Sequence, residues 1–338
     1  MMRWALASAG VLLSACTSPA TAAPEPVQTP QVADAPVLPP PVVALPVEPA
    51  APVIAAKTNR IDCAGPVTQG SAILCRTDPG STLALDGKPI AVADKDGIAV
   101  IGLSRTQATP AAISFVDPLD QPVSFERRSL KVLMDVQARN DSVSKFTMEC
   151  TKIAPQSPED QRKAEVAWLK KDKALKLFNE PLAPVAMAKP VVGEFPLSSS
   201  FGVTRTYVPK TKDCEGSTSV HNGADIAVPT GTEIRAPMAG TVILADPDLF
   251  FEGGAVFLDM GRGLVSVTMH MSRIDVKAGD RIEQGGLLGL SGATGRVTGP
   301  HLHWAIKYRN VLSADRGTDI WLDPVLMMSL KTPSVVAP

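Results

Sequence analysis

Short runs of strand-forming residues, separated by glycine, fill the chain from about Leu197 onward and restrict what it can fold into. Runs such as Thr241–Leu244 and Ala255–Asp259 are too short for helices and end at turn residues. Short strands at this spacing predict an antiparallel β-sandwich or barrel. We assign this domain to residues 197–325 and a C-terminal tail to residues 326–338. The glycines that separate the runs are Gly231, Gly240, Gly253, Gly254, Gly261, Gly279, Gly285, Gly286 and Gly292.

A second β region covers residues 58–140. Asp86-Gly87 between two of its runs is a typical hairpin turn, and the alternation predicts a small β-sandwich. No residue pattern in this region indicates chemistry. Its candidate strands are Ala72–Leu74, Thr82–Leu85, Pro89–Val92, Ile98–Ile101 and Ala112–Val116.

Residues 141–196 link the two β regions and contain one predicted helix, at 157–179. Ser157 is a suitable N-cap, Pro158 fits the first helical position, and Asp160 completes a capping-box pattern. This linking helix is either a strut between domains or a cover over a functional groove, and the fold as a whole is expected to be mainly β. The apolar face expected to pack is Ala164, Ala167, Trp168, Leu175 and Phe178.

The N-terminus has the pattern of an export signal. Arg3 supplies positive charge, and Trp4–Leu13 is an apolar run too short to span a bilayer as a mature helix. The sequence Leu13-Ser14-Ala15-Cys16 resembles a bacterial lipoprotein signal, which implies that residues 1–16 are processed and that Cys16 is lipidated. An ordinary signal peptide or a buried apolar helix is the alternative. The resemblance implies an exported protein, anchored by lipid to a membrane facing the periplasm, with the outer membrane expected.

The next segment, residues 17–57, contains eleven prolines and few charges. This composition favours extended polyproline-like structure and cannot bury a core. We therefore expect a tether between the membrane anchor and the folded part of the chain.

The overall charge argues against a nucleic-acid partner. The chain has 33 Lys and Arg against 34 Asp and Glu, for a net charge of −1, and lacks a basic stripe. Aromatic residues make up only 4% of it, which leaves little for base stacking.

Four cysteines remain besides Cys16: Cys63, Cys75, Cys150 and Cys214. An even number in an exported chain indicates disulfides, with three possible pairings. We favour Cys63–Cys75 and Cys150–Cys214. A thiolate zinc site is the alternative, but no C-x-x-C pair supports it.

All four histidines lie within the last β domain. His301 and His303 are two residues apart, so in a strand both rings lie on the same face. His270 follows a strand-like run, Leu264–Met269. His221 and Asp225 are four apart, in a sequence whose glycines favour a loop that leads into a strand.

These residue types are those that a zinc hydrolase needs. Such enzymes use about three nitrogen or oxygen ligands and keep one position open for water. His221, Asp225 and His303 would supply two imidazoles and a carboxylate, leaving His270 and His301 for proton transfer and charge stabilisation.

The segment from about Ser200 to Ile306 resembles the lysostaphin/LytM-type family of zinc metalloendopeptidases, which hydrolyse peptidoglycan peptides. The resemblance implies that His221, Asp225 and His303 bind one zinc ion per chain, that His270 and His301 are the catalytic pair, and that a peptidoglycan peptide is the substrate. The resemblance does not identify any protein partner in wall remodelling. The matching strings are Ser200-Phe201-Gly202, His221-x-Gly223-x-Asp225, Gly231-Thr232, Ala236-Pro237, Ala239-Gly240-Thr241-Val242, His270-x-Ser272, Val276-x-x-Gly279-Asp280, Gly292-Ala293-Thr294-Gly295 and Thr298-Gly299-Pro300-His301-Leu302-His303.

In such an enzyme a zinc-activated water attacks the amide, one histidine takes its proton, and the other stabilises the oxyanion. We favour His301 as the base and His270 as the oxyanion partner, although the sequence leaves the two roles open. There is no H-E-x-x-H string, so a glutamate-based mechanism is not indicated.

Two other functions stay open. The first is a catalytically silent family member that binds the wall and activates an amidase; such members usually lose zinc ligands, whereas all five positions are present here. The second is a biotinyl or lipoyl carrier, whose hairpins Ala236–Val242 and Gly279-Asp280 resemble. A carrier needs an exposed lysine, typically in Met-Lys-Met, and none lies between these two segments.

Two local features depart from the family pattern. The family commonly has Tyr-x-His-Leu at the third histidine, whereas this chain has Thr268-Met269-His270-Met271. An insertion, Thr211–Ser219, precedes His221 and contains Cys214. We expect both features to change how a substrate fits the groove more than they change the chemistry.

Overall fold

The computed structural model describes residues 60–116 and 131–330. The predicted signal, Cys16, the tether and the end of the tail lie outside these residues. Within the described ranges, no helix combines the length and the apolar character needed to cross a membrane.

The first β region is a small sandwich of two antiparallel sheets, β1-β2-β5 and β4-β3-β6-β7. Apolar residues from both sheets fill the space between them, among them Ile73, Leu83 and Ile113. Asp86 and Gly87 have φ values of 50° and 79°, so the predicted hairpin turn is present between β3 and β4. The strands are β1 (Asp62–Ala64), β2 (Ala72–Arg76), β3 (Thr82–Leu85), β4 (Lys88–Val92), β5 (Ile98–Gly102), β6 (Ala111–Phe115) and β7 (Lys131–Met134).

The linking segment contains strand β8 (Val143–Met148), a short helix α1 (Cys150–Ile153) and the main helix α2 (Pro158–Leu175). The capping box expected from the sequence is present, because the Ser157 side chain accepts from the Asp160 amide and the Asp160 carboxylate accepts from the Ser157 amide.

The C-terminal end and the buried face of α2 differ from the sequence-based expectation. The helix ends at Leu175 rather than 179, so Phe178 lies beyond the helical repeat and is 44% exposed. Trp168 is 59% exposed, whereas Ala167 and Ala174 are buried. The two alanines are seven residues apart and thus share one face. Their small side chains let the helix lie close to the sheet below, and Trp168, about 100° further around, points away from it.

The second β region is built on an eight-stranded sheet in the order β18-β14-β15-β16-β20-β12-β9, with β21 paired to β20. All pairs in this sheet are antiparallel. Two three-stranded sheets, β11-β10-β8 and β13-β19-β17, complete the domain. Helical turns follow at Arg316–Thr318 and in α3 (Pro324–Met327). The strands are β9 (Leu197–Ser199), β10 (Thr204–Pro209), β11 (Ser217–Val220), β12 (Ala224–Ile226), β13 (Glu233–Arg235), β14 (Gly240–Leu249), β15 (Gly253–Gly261), β16 (Leu264–Met271), β17 (Arg273–Ile274), β18 (Arg281–Ile282), β19 (Leu287–Leu290), β20 (Leu302–Tyr308) and β21 (Ile320–Leu322).

The linking segment contributes a strand to the second β region, because β8 pairs in parallel with β10. The Cys150–Cys214 disulfide holds α1 to the loop between β10 and β11. The other disulfide, Cys63–Cys75, joins directly opposed residues of β1 and β2. Both bonds match the pairing favoured from the sequence.

The two faces of the large sheet pack against different parts of the chain. In β20, Trp304 and Ile306 lie in a core that also contains Leu74 and Val100 of the small sandwich. Ala305 points the other way and packs with residues of α2. His303 is two residues before Ala305 in the same strand, so both side chains point to the same face of the sheet. His303 therefore lies on the face that carries α2, opposite the small sandwich.

Candidate metal centre

Three of the predicted site residues converge on one point of the large sheet. His221 lies in the loop between β11 and β12, and Asp225 and His303 are opposed residues of β12 and β20. Asp225 Oδ1 is 3.0 Å from His221 Nε2 and 2.9 Å from His303 Nδ1. The two ring nitrogens are 3.1 Å apart. All three residues are buried, and the structure thus supplies a compact set of two imidazoles and one carboxylate.

The spacing of these atoms fits a small tetrahedral ion. Zinc bonds of about 2.0–2.2 Å place tetrahedral ligand atoms roughly 3.3–3.5 Å apart, a few tenths of an ångström more than the observed separations. The Ser200 carbonyl lies 2.7 Å from His221 Nδ1 and accepts a hydrogen bond from it. This bond leaves His221 Nε2 with a free lone pair towards Asp225, the arrangement typical of a metal-binding histidine.

The charge states of the donor set also suit a cation. Burial lowers the pKa of His303, so its ring is neutral at neutral pH. Burial opposes ionisation of Asp225, but the close contacts of its carboxylate with the His221 and His303 rings outweigh burial and hold the pKa of Asp225 well below its usual range. The carboxylate is therefore charged while the His303 ring keeps a lone pair for a metal.

Gly223 is required by the close packing of this loop against β20. A Cβ at this position would lie 2.7 Å from His303 Nε2 and 2.6 Å from the Trp304 carbonyl. The glycine in the His221-x-Gly223-x-Asp225 string is thus explained by the lack of room for a side chain beside a candidate ligand.

His270 reaches the same site through an irregularity in β16. Gly254 pairs with Met271 and Val256 with Thr268, so β16 has one more residue than β15 between these pairs. Such a bulge re-aims side chains, and His270 has a φ of 65°, in the left-handed region. Met269 is opposed to His303 in β20, so the two side chains share a face. Regular alternation would place His270 on the opposite face, whereas its ring centroid is 6.0 Å from that of His303.

His270 and His301 lie side by side next to the three candidate ligands. Their ring centroids are 4.9 Å apart, and His301 Nε2 is 3.7 Å from Asp225 Oδ1. His270 Nδ1 donates to the Thr294 carbonyl at 2.9 Å, and His301 Nδ1 donates to the Gly299 carbonyl at 2.8 Å. Each ring therefore keeps an unprotonated Nε2 when neutral. Burial, followed by the neighbouring His303 and His301, lowers the pKa of His270 to about 3.

This part of the chain also matches a known family: residues 219–315 fit the model of peptidase family M23. We call this segment the M23 domain, after the family whose model it matches. It contains all five residues of the candidate site, whereas the small sandwich and α2 lie outside the matched range.

Relatives of the M23 domain include proteins named as peptidoglycan endopeptidases. The chain is 37% identical over 120 residues to the peptidoglycan DD-endopeptidase ShyA of Vibrio cholerae, covering 36% of this chain and 26% of ShyA. It is 34% identical over 86 residues to lysostaphin of Staphylococcus staphylolyticus, covering 25% of this chain and 18% of lysostaphin. The chain thus matches about a quarter or less of the length of these two relatives.

One solved structure is similar over a much longer range. A Pseudomonas aeruginosa protein assigned to peptidase M23 is 29% identical, with a TM-score of 0.54. The alignment covers 79% of this chain and 96% of that one. The similarity therefore extends beyond the M23 domain to the preceding segments.

Arg205 in β10 is a site residue that the sequence analysis did not identify. Its guanidinium donates to Asp225 Oδ2 at 2.5 Å and to Ser199 Oγ at 2.8 Å. Asp225 thus presents Oδ1 to the histidines and Oδ2 to Arg205. Nothing in the sequence around Arg205 marks it, because the contact depends on how β10 lies against β12.

Two cavities flank the candidate metal centre. One, of about 350 Å³, is lined by residues that include Phe146, Asp225 and His301. The other, of about 210 Å³, is lined by residues that include His221 and His303. No described residue of α2 lines either cavity, whereas residues of β8 line the larger cavity and residues of β10 line both. We call the two cavities together the groove; its neighbouring strands are thus β8 and β10, and α2 does not cover it.

Proposed function

We propose that this protein is a zinc-dependent endopeptidase that hydrolyses peptide cross-links of bacterial peptidoglycan. The observation that carries the proposal is the set of three buried ligand atoms about 3 Å apart, bordered by two cavities and by two further histidines. The names of the M23 relatives support peptidoglycan as the polymer that is cut.

His221, Asp225 and His303 would hold the zinc ion, and this donor set gives the site a net charge of +1. When bound, the ion supplies a Lewis acid that polarises water or a carbonyl oxygen and lowers the pKa of water towards about 7. The Ser200 carbonyl and Arg205 fix the orientation of two of these ligands through the contacts at His221 Nδ1 and Asp225 Oδ2.

We assign the general-base role to His301. Its side chain is 16% exposed, and its unprotonated Nε2 faces the metal ligands. It accepts a proton from the attacking water and returns it to the leaving amine.

His270 has a different role in this proposal from the one favoured on sequence grounds. Donation to an oxyanion requires a proton on Nε2, but the His270 proton is on Nδ1, bound to the Thr294 carbonyl. A second proton is disfavoured, because burial lowers the pKa of His270 to about 3. We therefore propose that His270 Nε2 accepts a hydrogen bond from the attacking water and orients it.

The proposed location follows from the N-terminal pattern. Lipidation at Cys16 and a tether over residues 17–57 would hold the folded part near a membrane while it reaches the wall. The two disulfides are in keeping with an exported, oxidising compartment.

A digest of purified, cross-linked peptidoglycan tests the proposal. The wild-type protein should release peptides with one new amine and one new carboxyl group, identified by mass spectrometry. His301→Ala should retain zinc and lose at least about 100-fold in rate, as expected for a general base. Zinc binding by the wild type without any new peptide ends would contradict the enzymatic proposal.

That contradicting result would favour the alternative of a silent M23 member that binds the wall and activates an amidase. The digest should then be repeated with an amidase present, where release of peptides from glycan would increase. The carrier alternative has less support, because Ala236–Val242 leads into β14, which pairs with β15 inside the large sheet.

A further inference from the structure

We propose that Arg296 binds a free carboxylate of the substrate within one residue of the scissile bond, and so makes the site selective for peptides that carry this charge. This inference rests on the proposed peptidase function and concerns the substrate class of the same site. It assigns a specificity role to a residue outside the metal and histidine set.

The first observation is that Arg296 is held in place without using its hydrogen-bond donors. Its guanidinium carbon lies 5.1 Å from the ring centroid of Tyr207 and 4.8 Å from that of Phe251. Stacking on two rings fixes the position of the cation. Among the described residues, no side chain or carbonyl accepts a hydrogen bond from this guanidinium and no carboxylate pairs with it.

The second observation is the position of Arg296 beside the metal centre. Arg296 lines both of the cavities that flank the centre, as do His270, Tyr207 and Arg205. A peptide that runs from one cavity to the other across the metal ligands therefore passes the Arg296 guanidinium close to the bond being cut.

The third observation is that the nearby charges leave Arg296 as the free cation. The two cavities contain two acidic residues, Asp225 and Glu252. Asp225 is bound by Arg205, and Glu252 is paired with Lys171 of α2. Arg205 is itself paired with Asp225, so among the described residues that line these two cavities Arg296 is the arginine without a carboxylate partner, and an incoming anion is attracted to it.

The chemistry of the ligand follows from these three points. A planar guanidinium with free N–H groups binds a carboxylate through two parallel hydrogen bonds, and charge-assisted bonds of this kind are strong. A stem peptide with a free carboxylate beside the cross-link, such as one containing diaminopimelate, offers this group. A bridge made only of glycine, or a stem whose carboxylate is amidated, does not.

The test compares two synthetic cross-linked peptides that differ only in this group: one has free carboxylates beside the scissile bond, and in the other these carboxylates are amidated. With the zinc-loaded wild type, kcat/KM should be about 10- to 100-fold higher for the free form. Arg296→Gln should lose most of this preference while its rate on the amidated peptide stays within about threefold.

Two further variants keep the result interpretable. Arg296→Lys retains the charge but not the planar fork, so it should keep only part of the preference. Arg281→Gln, at an exposed position on β18, should behave as the wild type. Zinc content and melting temperature are measured for every variant, so that a misfolded protein is recognised.

The outcomes separate this inference from the proposed function. If the wild type cleaves both peptides equally, or if Arg296→Gln lowers both rates equally, the carboxylate proposal fails and the peptidase proposal stands. If Arg296→Gln instead raises both rates, Arg296 restricts access to the groove, which also overturns the carboxylate proposal. If the zinc-loaded wild type cleaves neither peptide nor peptidoglycan, the proposed function itself fails.

Discussion

Single residues in the M23 domain are positioned by contacts that the sequence pattern shows only in part. His221, Asp225 and His303 were proposed as one ligand set from their residue types and from the family resemblance, because spacing alone does not separate ligands from the other two histidines. The place of His270 could not be derived in this way. Its ring reaches the site only through a bulge in β16, and that bulge depends on the pairing with β15.

The first prediction concerns the two classes of histidine. His303→Ala removes a proposed ligand and should abolish stoichiometric zinc binding, whereas His270→Ala should keep zinc and lose turnover. Elemental analysis and a peptidoglycan digest of the same samples check this. Normal digestion by either variant would overturn the assigned roles.

The second prediction concerns Gly223. Gly223→Ala places a methyl group 2.7 Å from His303 Nε2, so the ligand must shift. Zinc affinity should fall about 10- to 100-fold, as it does for other losses of ligand orientation. Gly299→Ala is the matched control, because no atom lies within 4 Å of its added Cβ. Equal zinc affinity of the two variants in a competition titration would contradict the explanation given for Gly223.

The third prediction follows from the lowered pKa of His270, from 6.5 to about 3. Between these values the unfolded chain binds one more proton than the folded one, so stability falls as the pH is lowered through this range. In zinc-free protein, this ring should cost about 2 kcal/mol of unfolding free energy between about pH 7 and about pH 5. Urea denaturation checks this value. A His270→Gln variant with an equal loss would refute it.

At the level of elements, α2 shows which parts of a helix a sequence determines by itself. Its start was predicted to the residue, because the Ser157–Asp160 capping box is local. Its end depends on a distant partner. Arg309 donates to the Leu175 and Leu177 carbonyls and pairs with Asp259 at 2.8 Å, in a fully buried ion pair. No periodicity in residues 157–179 could reveal a residue more than 130 positions away.

The fourth prediction tests this anchor. Arg309→Met leaves the Asp259 carboxylate buried without its partner and removes the donor to the end of α2. The variant should lose about 3–5 kcal/mol of unfolding free energy. The control, Lys176→Met, breaks an exposed ion pair with Asp172 and should lose less than about 1 kcal/mol. Similar losses for the two variants in urea denaturation would show that the buried pair does not anchor α2.

At the level of the whole molecule, the small sandwich and the M23 domain share a core. The sequence separated residues 58–140 from residues 197–325 by the segment between them, and the β class of both regions was predicted correctly. It did not show that Leu74 and Val100 pack with Trp304 and Ile306, because apolar residues on strands do not identify their partners. The Tyr308 hydroxyl, 2.9 Å from the Val100 carbonyl, also joins the two regions.

The fifth prediction is that the described part of the chain unfolds in one step. Leu74→Ala should lower the unfolding free energy by about 2–5 kcal/mol and shift a single calorimetric transition. Leu133→Ala, at a position that is 63% exposed, is the control and should change it by no more than about 0.5 kcal/mol. Two separate transitions, with only one moved by Leu74→Ala, would contradict the shared core.

The central claim is that one zinc ion, held by His221, Asp225 and His303, is required for cutting a peptide cross-link. Zinc content and cleavage of a cross-linked muropeptide should be measured together in one sample, before chelation, after chelation and after zinc is added back. The account predicts one zinc per chain, loss of cleavage with loss of the metal, and recovery of both. Cleavage that continues in fully zinc-free protein would contradict it.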